Sequence, residues 1–167
     1  MIVTLSTHHH HMKRSVHLTL LTITLLLSGS SCRDQSEDPK PSHEELQVAI
    51  LIGINKHRVS LGLMALKEND VLNRIATEHS ANMADGEIPL SHEGFVQRFE
   101  QASKETGASA IGENVGSNYA NAAELVKAWL ASDENRENIE SDYTHVGIGI
   151  ADDADGNRFF TQLLARI

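Results

Sequence analysis

The last part of this chain constrains its fold most strongly, because it carries the pattern of a β-hairpin. Apolar residues alternate with glycine in Val146-Gly147-Ile148-Gly149-Ile150, which is the period of two expected for a strand. A polar segment, residues 152–157, follows as a turn, and residues 158–165 return as a second apolar strand. Because consecutive strands joined by a short turn pair antiparallel, the sequence predicts a small, mainly antiparallel sheet.

Helices are predicted around this sheet. Three of them begin at residues that can cap a helix, and in two cases a glutamate follows three residues later: Ser42, Asn69 or Asp70, and Asn121. A shorter helix is predicted over residues 93–103, and a short strand over residues 111–117. This mixture places the chain in the α+β class, with no internal repeat and no second-domain boundary.

Residues 1–31 have the composition of a signal peptide. Lys13 and Arg14 precede an apolar run over residues 18–27, and small residues then lead to Cys32. The apolar run is shorter than the roughly 20 residues that a spanning helix needs, so export is favoured over a transmembrane segment. Met12 is a better start than Met1, because the residues between them match no part of a signal peptide.

Cys32 is the only cysteine, and it follows Ser28-Gly29-Ser30-Ser31. This setting predicts a bacterial lipoprotein that is processed and lipidated at Cys32; the alternative is ordinary cleavage nearby. Residues 32–41, rich in charged residues, serine and proline, would then be a flexible tether to a domain over residues 42–167. We therefore expect an exported protein, anchored in the cell envelope and facing the periplasm or the exterior. One cysteine permits no disulfide within the chain, so the domain must rely on its hydrophobic core.

The chain is strongly acidic. Residues 1–31 contain Lys13 and Arg14 and no acidic residue, so their removal changes 14 basic and 23 acidic residues to 12 and 23, a net charge of about −11. Nucleic-acid binding depends mainly on Lys and Arg that neutralise phosphates. Nucleic acid is therefore not an expected partner, and we expect membrane attachment only through the lipid on Cys32.

Several short motifs after residue 42 occur in a recognisable order. They are Ile54-Asn55-Lys56-His57-Arg58, Ser91-His92, Gly112-Glu113-Asn114-Val115, Trp129-Leu130-Ala131-Ser132, Arg136-Glu137-Asn138-Ile139, Tyr143-Thr144-His145-Val146-Gly147 and Phe160-Thr161-Gln162. In this order the chain resembles the disulfide-free bacterial branch of the CAP superfamily, which groups cysteine-rich secretory proteins, antigen 5 and pathogenesis-related proteins of class one (the SCP domain). The resemblance covers residues 43–167 and implies a three-layer α-β-α sandwich.

The resemblance also implies a polar cleft, which two histidines and one or two glutamates line in many members. His92 and Glu113 match two of these positions. Ser132 stands where eukaryotic members often have the second glutamate, as in bacterial relatives, and Asn135 stands where the second histidine is expected. The predicted ligand-binding cleft therefore comprises His92, Glu113, Ser132 and Asn135.

Asparagine at position 135 makes both metal binding and proton transfer at this position less favourable. Imidazole offers a nitrogen lone pair to zinc, whereas an amide offers only a weakly binding oxygen, and asparagine does not titrate near neutral pH. His145 is the candidate for a replacement ligand beside His92, although its setting equally suits sheet packing. We therefore expect no firmly bound cofactor, and a divalent metal such as zinc only with weakened affinity.

Two functions fit these residues. The favoured hypothesis is a lipid-anchored binding or interaction module whose cleft holds a small-molecule, lipid or peptide ligand without turnover. The alternative is a hydrolase in which Glu113 activates water and His92 polarises or protonates the substrate, with a metal if His145 completes the site. No nucleophile with a recognisable base is present, so an enzyme is the weaker expectation. In a purely architectural interpretation, His92 and Glu113 satisfy each other, and Asn114 and Asn138 are framework residues.

We predict that the chain beginning at Ser36 binds zinc weakly and that Asn135→His restores binding, because this substitution supplies a second imidazole nitrogen. Calorimetric titration at neutral pH should show little binding for the wild type and saturable binding for Asn135→His. His92→Ala is the control for the cleft. Tight zinc binding by the wild type that disappears in His92→Ala would contradict the prediction and revive the metallohydrolase hypothesis.

Overall fold

A computed structural model describes residues 40–167, which lie within one compact unit, Asp38–Ile167. The predicted signal peptide, Cys32 and most of the tether lie outside the described residues. The elements follow in the order α1 (His43–Ser60), β1 (Lys67–Glu68), α2 (Asp70–Ala84), α3 (Phe95–Thr106), β2 (Ala110–Ser117), α4 (Ala122–Ala131), α5 (Asp133–Glu140), β3 (His145–Asp152) and β4 (Arg158–Arg166). None of the helices within residues 40–167 combines the length and apolar character that crossing a membrane requires.

The strands form one sheet in the order β1-β3-β4-β2. β3 and β4 pair antiparallel as the predicted hairpin, and β2 pairs antiparallel with β4. Only β1, which is two residues long, pairs parallel, with β3. The expected small, mainly antiparallel sheet is therefore confirmed, and its strand order leaves β2 at one edge.

Helices cover both faces of the sheet. One hydrophobic cluster packs α1, α4 and α5 on one face, with Ile50, Trp129 and Ile139 fully or almost fully buried. A second cluster packs α2 and α3 on the other face, through residues that include Leu72 and Ala102. The predicted three-layer α+β sandwich is confirmed. Because both clusters are built from residues within 46–165, we expect residues 38–167 to fold without the preceding segment.

The helices begin at the predicted caps. Ser42 and Glu45 form both halves of a capping box at α1, and Asn69 is the residue that caps α2. At α4 the Asn121 side chain accepts from the Glu124 N–H, but the Glu124 carboxylate accepts from the Asn121 side-chain amide instead of the backbone. The second capping box is only half formed, because asparagine carries a donor of its own.

The helix predicted over residues 93–103 lies slightly later, as α3. Gly94 precedes it and Gly107 ends it, and both adopt the left-handed conformation with φ of +77°. Glycine adopts this conformation without the steric cost that other residues meet, so the two glycines set the helix bounds.

Helix α2 lies directly on β3, because β3 carries no side chain at two positions on that face. A Cβ on Gly147 would lie 2.1 Å from the carbonyl carbon of Leu72, and a Cβ on Gly149 would lie 2.1 Å from that of Ala76. The alternation that predicts a strand therefore also makes room for the backbone of a packed helix.

We predict that Gly147→Ala destabilises the domain by about 3 kcal/mol or more, because its Cβ would overlap helix backbone that cannot move aside. Gly53→Ala is the matched control: its Cβ would meet only the Val126 side chain, at 3.3 Å. Alanine also favours the helix at position 53, so the control should change stability by less than about 1 kcal/mol. Urea unfolding measures both variants, and equal losses of stability would refute this account of the packing.

Candidate functional site

Two of the predicted cleft residues, His92 and Glu113, are in direct contact. Glu113 lies in the middle of β2, and only 1% of its side chain is exposed. His92 lies in the loop before α3 with 54% of its side chain exposed. Its Nδ1 donates to Glu113 Oε1 over 2.8 Å, since a carboxylate only accepts. In the neutral imidazole, the lone pair of Nε2 then remains available for a ligand.

Both oxygens of Glu113 also accept hydrogen bonds from Arg98. The distances are 2.6 Å from Nε to Oε2 and 2.7 Å from Nη2 to Oε1, and Arg98 is itself buried. Arg98 Nη1 donates further to the backbone carbonyl of Glu93 over 2.6 Å. The guanidinium therefore neutralises the buried carboxylate and holds the loop that carries His92.

Sequence reasoning missed Arg98. It stands at helical spacing between Phe95 and Ala102, on the face of α3 that packs towards the sheet. A basic residue on an apolar helix face requires a buried partner. The position of Arg98 in this pattern could therefore have identified it as a candidate site residue.

His79 on α2 lies beside the ion pair of Glu113 and Arg98. Only 2% of the residue is exposed, and its Nε2 donates to the Ser91 carbonyl over 2.9 Å. The same nitrogen lies 3.8 Å from Glu113 Oε1. Burial and the nearby Arg98 guanidinium lower the pKa of His79, although Glu113 acts in the opposite direction. His79 therefore supports the Ser91-His92 loop through its hydrogen bond to the Ser91 carbonyl.

Ser132 and Asn135, the other two predicted cleft residues, lie at the start of α5 in the opposite helix layer. Asn135 reaches β2 through its backbone, because its carbonyl accepts from the Asn114 side chain over 3.1 Å. Asn114 follows Glu113 in β2, and successive strand residues point to opposite faces. The two halves of the predicted cleft therefore meet β2 at adjacent residues, from its two faces.

A buried amide network fixes α5 to β2. Asn138 Nδ2 donates to Asn114 Oδ1 over 2.9 Å and to the Glu113 carbonyl over 3.0 Å. Asn114 Nδ2 also donates to Gln162 Oε1 over 2.8 Å. These bonds give Asn114 and Asn138 the framework role expected of them.

His145 is not brought together with His92. It is the first residue of β3, and β4 lies between β3 and β2. Because neighbouring strands are about 4.8 Å apart, β2 and β3 are about 10 Å apart. The His145 ring instead contacts Thr144 Oγ1 over 2.8 Å. The candidate metal pair His92 and His145 is therefore separated.

The donor set does not fit a zinc site. Glu113 already makes three short hydrogen bonds, and the His92 ring contributes a single open nitrogen. Within residues 40–167, no group of three or more His, Cys, Asp or Glu side chains is placed to hold a metal ion. Zinc sites normally use at least three protein ligands, so the described residues do not supply one.

A cavity of about 310 Å³ lies between α2 and α3, beside the buried Arg98. His79 and Arg98 form part of its wall together with Glu93, but His92 and Glu113 do not line it. The exposed ring of His92 therefore lies outside this cavity.

Comparison with known proteins agrees with this architecture. The family model described as CAP, the cysteine-rich secretory protein family, matches residues 51–164. The "Uncharacterized membrane protein YlbC" of Bacillus subtilis is 27% identical over 113 residues, which make up 65% of this chain and 31% of that protein. The chain thus spans about a third of the length of this curated relative.

Two solved structures share the fold. An outer surface protein from Borrelia burgdorferi matches with a TM-score of 0.66 at 21% identity, covering 76% of this chain and 96% of that one. An extracellular protein from Bacillus anthracis containing a SCP domain matches with a TM-score of 0.64 at 21% identity, covering 78% of this chain and 45% of that one. At these identities the likeness concerns the fold alone.

We predict that Arg98→Met destabilises the domain by about 3–5 kcal/mol, because it leaves the Glu113 carboxylate buried without its partner. Adding Glu113→Gln removes that charge and should recover a large part of the loss. Arg74→Met is the control, since it removes exposed ion pairs with Glu78 and Glu105 and should cost less than about 1 kcal/mol. Urea unfolding of the four proteins tests this, and equal costs at positions 98 and 74 would argue against a buried ion pair.

Proposed function

Because this chain belongs to the CAP family of cysteine-rich secretory proteins, we propose that it is an exported binding module whose cleft holds a small or peptide-like ligand without turnover. In this proposal a lipid on Cys32 anchors the protein, and the domain faces the periplasm or the exterior. The observation that carries the proposal is the exposed ring of His92, which is held by a buried and already neutralised Glu113.

The His92 ring is already held in one orientation before a ligand binds. Its Nδ1 is engaged by Glu113, which fixes both the orientation of the ring and the position of its proton. Nε2 is then free to accept a hydrogen bond from a hydroxyl, amide or ammonium group of a ligand. A side chain that is already held in place loses little conformational freedom on binding, which favours affinity.

Glu113 is poorly placed to activate water. Its side chain is 1% exposed, and its two oxygens accept three hydrogen bonds from His92 and Arg98. A general base must reach the proton that it takes, directly or through one water. Position 135 offers an asparagine that does not titrate near neutral pH. These features favour ligand binding over the hydrolase alternative.

The predicted export signal and the names of similar proteins support an extracytoplasmic location. One relative is named a membrane protein, and two of the structural neighbours are named an outer surface protein and an extracellular protein. Attachment through Cys32 would place this acidic domain at the envelope surface without a membrane-spanning helix.

We predict that peptides from a tryptic digest of casein shift the NMR signals of the His92 ring and of the backbone amides around residue 92 in the chain spanning residues 38–167. His92→Ala should abolish the binding, because it removes the exposed acceptor, whereas His43→Ala should leave it intact. His43 is a suitable control, since its side chain is similarly exposed, 43% against 54%, and pairs with Asp152 outside the cleft.

Casein labelled with fluorescein tests turnover in the same samples. The wild type should release no more fluorescent peptide than the double variant His92→Ala/Glu113→Gln. Cleavage that the double variant loses and His43→Ala keeps would establish the hydrolase in place of the binding module. If no peptide perturbs His92, the peptide-like part of the proposal fails.

A further inference from the structure

The cavity between α2 and α3 is separate from the cleft residues described above. Its volume is about 310 Å³, and neither His92 nor Glu113 lines it. Ile75 and Ile88 form an apolar part of its wall, and polar side chains from α2, α3 and the loop between them form the rest. An apolar wall with a few polar groups is the usual composition of a small-ligand site.

His79 gives this cavity a buried acceptor. Its ring forms part of the wall, and its Nδ1 has no hydrogen-bond partner in the described part of the chain. Because Nε2 donates to the Ser91 carbonyl, Nδ1 of the neutral ring can only accept. Burial favours the neutral ring, since it lowers the pKa of His79. An unpaired acceptor in a buried ring costs free energy, so the cavity favours a ligand that donates a hydrogen bond.

Glu93 adds a carboxylate that has no cationic partner. It is exposed, it lines the cavity, and it forms no ion pair within residues 40–167. The other carboxylate of the wall, Glu78, pairs with Arg74 over 3.0 Å. Arg98 is the one cation of the wall, and Glu113 neutralises it through two short hydrogen bonds. The wall therefore retains a negative charge at Glu93.

The elements around the cavity are acidic as well. Residues 70–106 comprise α2, α3 and the loop between them, and they contain seven acidic and three basic residues. The basic residues are Arg74, Arg98 and Lys104. Arg74 is shared between two carboxylates, and Lys104 does not line the cavity. A cationic group is therefore attracted to this site, and an anionic ligand is repelled.

We propose that this cavity binds the ammonium group of a lysine side chain, with Glu93 as its counter-ion and His79 Nδ1 as a further acceptor. The inference rests on the proposed function, because the lysine belongs to the peptide-like ligand that His92 recognises. The methylene chain of the lysine packs against Ile75 and Ile88. An ammonium group carries three donors and suits acceptors from separate elements, whereas the planar fork of a guanidinium suits a single carboxylate.

The cavity is close enough to His92 for one ligand to reach both. His92 Nδ1 and Arg98 Nη2 bond to the same oxygen, Glu113 Oε1, over 2.8 Å and 2.7 Å, so these two nitrogens are no more than 5.5 Å apart. Arg98 lines the cavity, and so does Glu93, which follows His92 in the chain. A peptide that contacts the His92 ring can therefore place a neighbouring side chain in the cavity.

A lysine derivative tests the site in the chain spanning residues 38–167. The probe is Nα-acetyl-lysine N-methylamide, and the matched control compound is Nα-acetyl-norleucine N-methylamide, which lacks only the ammonium group. In an NMR titration, the probe should shift the signals of His79 Nδ1 and of the Gln97 side-chain amide, because both groups lie at the cavity wall. Its affinity should exceed that of the norleucine compound at least about tenfold, since only the probe makes charge-assisted hydrogen bonds.

Glu93→Gln removes the counter-ion and keeps the shape of the side chain. It should weaken binding of the lysine derivative about two- to fivefold, which is the effect of losing an exposed ion pair. Glu87→Gln is the matched control, because Glu87 is also exposed and lies in the same loop but does not line the cavity. This control should bind the lysine derivative as the wild type does.

Several outcomes would overturn the lysine site. They are equal affinities for the lysine and norleucine compounds, and equal weakening by Glu93→Gln and Glu87→Gln. Butylamine that binds as tightly as the lysine derivative would assign the cavity to free amines instead. Tighter binding of the corresponding arginine derivative would assign it to guanidinium groups.

The same samples separate this inference from the proposed function. If casein peptides perturb His92 but the lysine derivative does not bind, the proposed function stands and only the lysine site fails. If the lysine derivative binds in the cavity but no casein peptide perturbs His92, the lysine site stands and the peptide-binding cleft fails.

Discussion

A carboxylate shielded from water organises one side of this domain. Burying the charge of Glu113 would cost several kcal/mol if it had no partner, so its side chain requires Arg98. The ion pair also attaches α3 to the sheet. This attachment matters because α3 contributes only Ala102 to the hydrophobic cluster beneath it. Two short hydrogen bonds to β2 therefore replace part of the apolar contact that usually attaches a helix to a sheet.

The edge strand β2 serves both helix layers. The Glu113 side chain holds α3 and the His92 loop on one face, and the Asn114 side chain holds the start of α5 on the other. Because the two residues are adjacent on one strand, the backbone of β2 sets the separation between His92 and Asn135. An edge strand is well suited to this role, since groups from both layers can approach it from beyond the sheet.

Local patterns predicted much of the fold, because they depend on neighbouring residues. The hairpin follows from alternation and a polar turn, and the caps of α1 and α2 follow from side-chain acceptors in the right place. The pairing of Arg98 with Glu113 joins residues fifteen apart and depends on how α3 lies on the sheet. The separation of His145 from His92 depends on strand order, which alternation does not specify. The sequence thus named His92 and Glu113 as candidates, but it gave neither Arg98 nor the contacts that join the three residues.

At position 135 the contact with β2 is made by the backbone, which any residue can supply. Residue 135 holds α5 to β2 through its backbone carbonyl, and Asn114 and Asn138 supply the side-chain bonds. Exchanging the expected histidine for asparagine therefore removes an imidazole without removing a bond that positions α5. On the other face, His92 keeps its orientation through its hydrogen bond to Glu113, which Arg98 holds in turn. Neither of these hydrogen bonds involves residue 135. The domain thus keeps one oriented imidazole on one face of β2 and, at position 135 on the other face, an amide that can hydrogen-bond but does not titrate near neutral pH.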